Sequence, residues 1–207
     1  MRNAFRALAL VLALSFASAV QAAPTTYAID TVHSNVGFTV RHFFSKVPGT
    51  FQKFSGTIVY DPANPTAATV KAEIDATSIN TRNEKRDGHL NSEDFFYTAK
   101  YPTLTFESTK VTAAGEGKIK VDGNLTMRGV TKPVTLDVTY LGSGDTGNGV
   151  KAGFEAVTKV NRKDFGINWN RTLDQGGTML SDDVEIRLDI EANGKTEEKA
   201  EVTPAKK

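Results

Sequence analysis

Residues 118–140 read KIKVDGNLTMRGVTKPVTLDVTY, and the alternation within them is the clearest structural signal in the chain. Apolar and polar residues alternate over 118–127 and again over 134–140. A period of two residues is typical of a β-strand with one face buried and the other in water. Between the two segments, MRGVTKP (127–133) is rich in turn-forming residues. The stretch therefore predicts two strands of an antiparallel sheet joined by a turn.

The same alternation recurs along most of the chain. It is found in four further segments, 35–41, 70–76, 152–158 and 184–191. Segments 54–60 and 104–111 are also predicted as strands, which gives about eight in total. Turn-rich pieces such as DPANP (61–65) and GSGDTGNG (142–149) join them, and a shorter turn is predicted over 43–48. Because no long helix is predicted to cover this sheet, we expect it to form a sandwich or a closed barrel.

One stretch breaks the alternation: NEKRDGHLNSEDFF, residues 83–96. It favours the only predicted helix, which would run over about 81–95. Asn80 and Thr81 can cap its start, because both side chains accept hydrogen bonds from free backbone N–H groups. Gly88 in the middle weakens such a helix by about 1 kcal/mol.

Both ends of the chain differ from this strand-rich middle. Residues 1–22 combine two Arg, a short apolar run and the small-residue piece SAVQAA, which is the layout of a secretory signal peptide. The apolar run is too short for a retained membrane helix. Residues 194–207 are charged and are predicted to be a disordered tail. The sequence thus predicts one domain over 23–193, exported to a bacterial periplasm.

The composition excludes several classes of function. The chain carries 25 Lys and Arg against 24 Asp and Glu, and removal of the predicted signal peptide takes away two of the basic residues. With so little net charge, no overall field draws the mature protein to nucleic acid or to an anionic membrane. The absence of Cys excludes disulfides and Cys-ligated metal. No second long apolar run is present, so no stable membrane span is expected.

The sequence contains no catalytic or metal-binding motif. His33, His42 and His89 are the only histidines, and none has the spacing of a zinc-ligand pair. His33 and His42 lie at the two ends of one predicted strand, about 30 Å apart if extended. G-x-S-x-G is absent, and GSGDTGNG lacks the Lys of a phosphate-binding loop. We therefore predict no catalytic residues, no metal site and no cofactor.

The side chains predicted to face inward differ greatly in size. Five of them are small: Ala72, Ala76, Gly123, Ala152 and Ala156. Four are large: Phe38, Phe54, Phe106 and Phe154. An eight-stranded barrel can fill its interior with side chains or enclose one apolar ligand. The pattern alone is equally compatible with a ligand cavity and with a filled core.

Two polar clusters are candidates for the rim of such a barrel. The first is Arg86, Asp87 and His89, which would either hold the helix through an ion pair between Arg86 and the sheet, or meet the polar head of a ligand. The residue pattern favours the first interpretation. The second is NRKDFGINW (161–169), which is either a charged turn after a strand or a further part of the rim with an apolar wall. The pattern leaves this second choice open.

Six pieces of the sequence, in the same order, resemble the YceI-like family of periplasmic polyisoprenoid-binding proteins. They are AIDTVHSNVGFTVRH (28–42), GTFQKFSGTIVYD (49–61), RDGHL (86–90), DFFYTAKYPTLTFES (94–108), GNLTMRGVTKPV (123–134) and GFEAVTKVNRKDFGI (153–167). Together they run across nearly the whole predicted domain. The chain departs from the family pattern just before the last piece, where it has DTGNG (145–149).

The resemblance implies an all-β fold, an eight-stranded antiparallel lipocalin-like barrel with a short helical insert and an apolar tunnel. It also implies a binding or carrier protein, not an enzyme, whose ligand is an isoprenoid quinone, a polyprenol or a similar long-chain amphiphile. Two alternatives stay open: an enzyme acting on such a lipid, and a filled barrel that binds other proteins. A homodimer is compatible with these features. The inward pattern and the resemblance together give the ligand-binding candidates Phe38, Val40, His42, Phe54, Ile74, Arg86, Asp87, His89, Leu90, Phe106, Leu125, Leu136, Phe154, Phe165, Ile167 and Trp169.

Overall fold

The computed structural model describes residues 24–147, 149–172 and 178–194. Within them the chain forms eleven strands and one α-helix, α1 (Glu84–Asn91). The strands are β1 (Thr25–Ile29), β2 (Asn35–His42), β3 (Ser45–Phe51), β4 (Phe54–Tyr60), β5 (Thr69–Asp75), β6 (Ile79–Asn80), β7 (Thr103–Ala113), β8 (Lys118–Met127), β9 (Val130–Asp145), β10 (Val150–Asn161) and β11 (Leu180–Gly194). The predicted signal peptide lies outside the described residues, as does the predicted tail beyond Gly194, which ends β11. In the described ranges, no helix has the length and apolar character needed to cross a bilayer.

Eight of the strands close into an antiparallel barrel. Their order around the ring is β1-β4-β5-β7-β8-β9-β10-β11, and β11 pairs with β1 to complete it. This closure involves the three residues Tyr27 to Ile29 of β1, which pair with Gly194 to Ala192. All neighbouring strands of the ring run antiparallel. The predicted all-β, eight-stranded antiparallel barrel with a short helix is confirmed.

Three strands lie outside the ring, and they correct the strand assignment. β2 was predicted as a barrel strand, but it lies beside the ring. It pairs with residues 180–189 of β11, on the same edge of β11 that pairs with β1 at residues 192–194. β3 pairs with β2, and β6 pairs with β3, so the sheet continues past the ring as a ribbon. The turn predicted over 43–48 is wrong in extent, since only Phe43 and Phe44 form it. Pro48 lies within β3, which is an edge strand over most of its length and therefore tolerates proline.

The β8–β9 hairpin shows how the alternating sequence produces the barrel wall. Ile119 and Val121 are buried on β8, whereas Lys118 and Lys120 are exposed. The connection is a two-residue turn, Arg128-Gly129, in which both residues have positive φ, 52° and 74°. Such a turn matches the natural twist of a hairpin. It is shorter than the predicted turn, because residues 130–133 already belong to β9.

Helix α1 is present but shorter than predicted. Asn83 caps it, since its side chain accepts a hydrogen bond from the backbone N–H of Arg86 at 3.0 Å. Thr81 was predicted as a cap, but Arg82 has a φ of 60°, which interrupts a helical path before Asn83. The helix ends at Asn91, ahead of the predicted end at residue 95.

The two ends of the barrel differ. At one end β5, β8 and β10 finish, and α1 lies in the connection that follows β5; we call this the α1 end. At the opposite end four aromatic residues pack together, with ring centroids 4.7 to 6.5 Å apart: Tyr27, Tyr60, Tyr140 and Phe154. We call this group the aromatic floor. It closes that end of the barrel with side chains.

Candidate functional site

The barrel encloses a cavity of about 620 Å³. This lies within the range of about 300 to 1,000 Å³ found for pockets that bury small ligands. Every strand of the ring contributes to its wall, and most of the lining side chains are Val, Ile, Leu and Phe. The interior is therefore hollow, which answers the question that the residue pattern left open.

Only two of the five small residues that were predicted to face inward line this cavity. Ala72 and Ala156 line the cavity. Ala76 and Ala152 are fully buried and do not line it. Gly123 serves a different purpose, since an added Cβ there would lie 2.3 Å from the ring of Phe106. The missing side chain leaves room for that ring beside β8.

Most of the predicted ligand-binding side chains lie on the cavity wall. They are Phe38, Val40, His42, Phe54, Ile74, Arg86, His89, Leu90, Phe106, Leu125, Leu136, Phe154, Ile167 and Trp169. Two predicted residues do not line it, Asp87 and Phe165. Phe165 is only 1% exposed and packs in the core, in a short 3-10 turn after β10 where strand alternation no longer assigns faces.

The aromatic floor closes the deep end of the cavity. Tyr60 and Phe154 face the cavity, with ring centroids 5.3 Å apart in an edge-to-face arrangement. Tyr140 packs against both of them, at 4.7 and 5.5 Å. Burial raises the pKa of the Tyr60 phenol above its ordinary value. The Tyr60 phenol is thus uncharged at neutral pH, and an apolar group can rest against it without meeting an ion.

The polar lining residues gather mainly at the α1 end. Five of them form what we call the rim: Thr81, Asn83, Lys85, Arg86 and His89. All five lie on α1 or just before it. The cavity is therefore amphipathic along its length, with an apolar body and a partly cationic opening.

Arg86 and Asp87 are joined through Thr81. Arg86 donates from Nε to the Thr81 hydroxyl and from Nη2 to the Thr81 carbonyl, both at 2.7 Å. Asp87 accepts hydrogen bonds from the Thr81 hydroxyl and from its backbone N–H. Among the described residues, no carboxylate of the sheet pairs with Arg86, so the predicted ion pair is wrong although the helix is indeed held in place. Asp87 orients Thr81 and Arg86 from behind the cavity wall.

His89 links the helix to the loop after β10. Its ring packs edge-to-face against Phe95 and Trp169, with both centroid distances at 5.0 Å. Its Nε2 lies 2.8 Å from an Asp94 carboxylate oxygen. Trp169 lines the cavity at this position. His89, Phe95 and Trp169 thus form an aromatic wall beside the opening.

Arg162 holds that loop in place, a role that the sequence did not assign. It is 4% exposed and donates to three backbone carbonyls, those of Ser181, Ile167 and Trp169, at 2.7 to 3.0 Å. Burial lowers the pKa of its guanidinium, and nearby Asp182 partly offsets this. The segment 161–169 is therefore both a charged turn and part of the cavity wall.

Several lining residues were missed because no local pattern marks them. Val47 and Phe51 lie on β3, which was not predicted as a strand. Phe96 follows α1, and Met179 precedes β11. In β3 the proline at position 48 suggested a turn, and positions outside regular elements have no period that assigns them to a face. Only the folded chain shows that these residues line the cavity.

The wall offers little for catalysis. Among the described residues that line the cavity, none is acidic. Its hydroxyl groups belong to Ser55, Tyr60, Thr81 and Thr158, and none of these donates to a histidine in the described part of the chain. A nucleophile with an adjacent base, as covalent catalysis requires, is not assembled by these residues.

A separate charged cluster lies outside the cavity. Asp30, His33 and Glu191 place potential metal-ligand atoms within 4.8 Å of one another. The ammonium group of Lys151 hydrogen-bonds to both carboxylates. Hydrogen bonds from His33, and then from Lys151, hold the pKa of Asp30 well below its ordinary value. The cluster is thus a salt-bridge network that fastens the β1–β2 connection to β10 and β11.

Comparison with known proteins places this architecture in a family. Residues 27–192 match the YceI-like domain. Protein YceI of Escherichia coli O157:H7 is 44% identical over 165 residues, which is 76% of this chain and 86% of that protein.

Two solved structures share the fold. BcnA of Burkholderia cenocepacia superposes with a TM-score of 0.72 at 26% identity, over 80% of this chain and 99% of its own. A polyisoprenoid binding domain from Saccharophagus degradans superposes with a TM-score of 0.59 over 82% and 98% of the two chains. The latter is 19% identical, so its similarity concerns the fold alone.

Proposed function

This chain belongs to the YceI-like domain family, and we propose that it is a periplasmic binding or carrier protein for an isoprenoid quinone, a polyprenol or a similar long-chain amphiphile. The hydrocarbon chain lies in the cavity and points toward the aromatic floor. The polar head remains at the rim. No reaction is performed on the bound lipid.

One observation carries the proposal: a cavity of about 620 Å³ that is apolar along its body, closed at one end and polar at the other. A long-chain lipid has the same division between an apolar tail and a polar end. Each CH₂ group removed from water contributes about 0.8 kcal/mol, so a few isoprene units can supply most of the affinity. The neighbour from Saccharophagus degradans, described as a polyisoprenoid binding domain, supports a barrel of this fold as a lipid site.

The rim sets which head groups are compatible. Lys85 and Arg86 bring positive charge, and no described lining residue is acidic. Neutral or anionic heads are therefore compatible with the opening, whereas a cationic head would meet repulsion. The alternative of a filled barrel does not fit a hollow interior.

Mass spectrometry of an organic extract tests the proposal. The protein is purified from the compartment to which its own N-terminal segment directs it, and the extract is expected to contain a stoichiometric long-chain lipid. Recovery from the periplasmic fraction, with the chain shortened by residues 1–22, tests the proposed export.

A titration then tests the binding mode. Trp169 is the only tryptophan and lines the cavity, so its fluorescence reports occupancy. Quinones with one head group and tails of increasing length are expected to bind more tightly with each added isoprene unit. An empty extract, together with no response of Trp169 to any quinone or polyprenol, would show that the cavity does not hold such lipids.

A further inference from the structure

The turn between β2 and β3 exposes two adjacent aromatic residues. Phe44 is 98% exposed and Phe43 is 39% exposed. Other large apolar residues on the described surface, such as Val32 and Leu141, are exposed singly. Isolated apolar residues are normal on a protein surface, but two adjacent rings at the end of a projecting ribbon are not required for folding. We call this pair the aromatic tip.

The backbone of the aromatic tip is also unusual. His42 pairs with Ser45, so Phe43 and Phe44 form a two-residue turn. Phe43 has a φ of 51°, a conformation in which Gly, Asn or Asp is normally found. Its backbone N–H donates to the Met179 carbonyl at 2.9 Å, which anchors the turn to the segment before β11. The chain thus places a bulky ring where a small residue would be less strained, and 39% of that residue remains exposed.

The aromatic tip lies at the α1 end of the barrel, where β2 ends beside the start of β11. β10 makes its last pair with β11 at Asn161 and Asp183, whereas β2 stays paired to β11 as far as Leu180. Val40 and Val160 both pair with Val184, and from that level β2 runs two residues further and β10 one. At about 3.3 Å per residue, β2 therefore ends only about 3 Å past the last pair of β10, and the turn lies just beyond it. His42 and Val47, which flank the turn, line the cavity. The tip therefore lies directly beside the cavity opening.

Basic residues flank the aromatic tip although the protein has almost no net charge, and the acidic residues Asp182 and Asp183 of the neighbouring strand are paired with Lys163 and Lys159. The ribbon from Asn35 to Phe51 contains Arg41 and Lys46 and no acidic residue. Lys46 is paired with Glu185 of β11 at 2.8 Å, which neutralises part of this charge. Lys85 and Arg86 of the rim add further positive charge to the cavity lining. Exposed aromatic rings with flanking basic residues are the composition of segments that enter the interface of an anionic bilayer.

We propose that the aromatic tip inserts into the interfacial layer of a phospholipid bilayer and orients the cavity opening toward the membrane. A lipid then passes between bilayer and cavity without its apolar chain crossing water. This docking surface consists of Phe43, Phe44, Arg41 and Lys46. Membrane docking does not depend on which lipid the cavity holds, so it can be tested separately from the proposed ligand.

Flotation with vesicles of phosphatidylcholine and phosphatidylglycerol tests this proposal. The wild-type protein is expected to float with the vesicles. The double variant Phe43→Asn/Phe44→Gly is expected to lose partitioning by roughly tenfold or more for each ring removed. Asn tolerates the positive φ of position 43 and Gly adopts the backbone conformation of position 44, so this variant is expected to keep the turn and fold.

Leu141→Ser is the matched control. Leu141 is 60% exposed on β9, toward the end of the barrel that carries the aromatic floor. Its loss removes a similar apolar side chain and is expected to leave flotation unchanged. Trp169 fluorescence with a short-tailed quinone in detergent is expected to be the same for all three proteins, because neither Phe43 nor Phe44 lines the cavity.

Three results would overturn the proposal. In the first, the wild-type protein fails to float; in the second, the double variant floats as well as the wild type. In the third, Leu141→Ser loses as much partitioning as the double variant, which would indicate nonspecific apolar adsorption. If sedimentation shows a dimer that the double variant cannot form and no protein floats, the aromatic tip contacts a second copy of the chain and not a membrane.

Discussion

Filling the deep part of the cavity should strongly weaken lipid binding without unfolding the barrel. Ala156 lies on β10, faces the cavity and pairs with Val138 and Leu188 of the neighbouring strands. It is two residues from Phe154 of the aromatic floor, or about 7 Å along the strand. A ring introduced by Ala156→Phe would block this lowest section, which holds about one five-carbon isoprene unit.

The expected loss follows from that length. Excluding three to five carbons at about 0.8 kcal/mol each lowers the binding free energy by roughly 3 kcal/mol, or on the order of a hundredfold in Kd. The assay is a Trp169 fluorescence titration with a long-chain quinone. Because the added ring occupies empty space, the urea midpoint of the free protein is expected to stay the same or rise.

Val157→Phe is the control for this experiment. Val157 is the next residue on β10, faces outward and is 48% exposed, so it receives the same ring outside the cavity. It should bind the quinone as the wild type does. Equal binding by Ala156→Phe, or an equal loss in Val157→Phe, would refute the assignment of the deep cavity to the lipid chain.

Three further predictions concern the residues that shape the opening and the seam of the barrel. Arg162→Met removes the donor to three buried or partly buried backbone carbonyls and is expected to lower the free energy of unfolding in urea by about 3 kcal/mol. Its control, Lys163→Ala, loses an exposed ion pair and is expected to cost less than about 1 kcal/mol. Thr81→Val removes the hydroxyl shared by Arg86 and Asp87, and we expect faster hydrogen exchange in α1 with the barrel strands unchanged. Asp30→Asn should lower the urea midpoint at pH 7. Because the pKa of Asp30 is depressed in the folded protein, the stabilisation by its carboxylate is present above about pH 4 and is lost as the pH falls further. The urea midpoints of the wild type and of Asp30→Asn should therefore converge in acid.

The barrel could be predicted because its main signal is local. Each long strand carries its own period of two, as Ile119 and Val121 show on β8. β1 and β6 have five and two residues, which is too short for a period to be recognised. β3 contains Pro48, which suggested a turn, and only its position at an edge explains why a strand tolerates it. Ring closure by β1 in place of β2 depends on pairing between distant parts of the chain.

The residues of the candidate site were likewise predictable where the sequence signal is local and were not predictable elsewhere. Inward residues such as Phe106 and Leu136 were predicted because strand alternation assigns them to a face. Phe165 and Asp87 do not line the cavity. They were assigned from charged and aromatic clusters and from the resemblance, and neither signal fixes where a side chain points in a 3-10 turn or a short helix. The hollow interior depends on how side chains from many strands fill the barrel together. Only the folded chain shows that the floor is packed and the middle is empty.

The three-residue seam between β1 and β11 has a consequence for how the protein is made. It joins Tyr27 to Gly194, two residues separated by almost the whole domain, whereas β10 and β11 are paired over eleven residues. Contacts between such distant residues carry a high loop-closure cost and form late in folding. During synthesis, β1 must wait until the last strand emerges, and until then the apolar inner surface is exposed. The interval before the seam forms is when the nascent chain is most vulnerable to aggregation, and also when a lipid could be enclosed without entering through the opening.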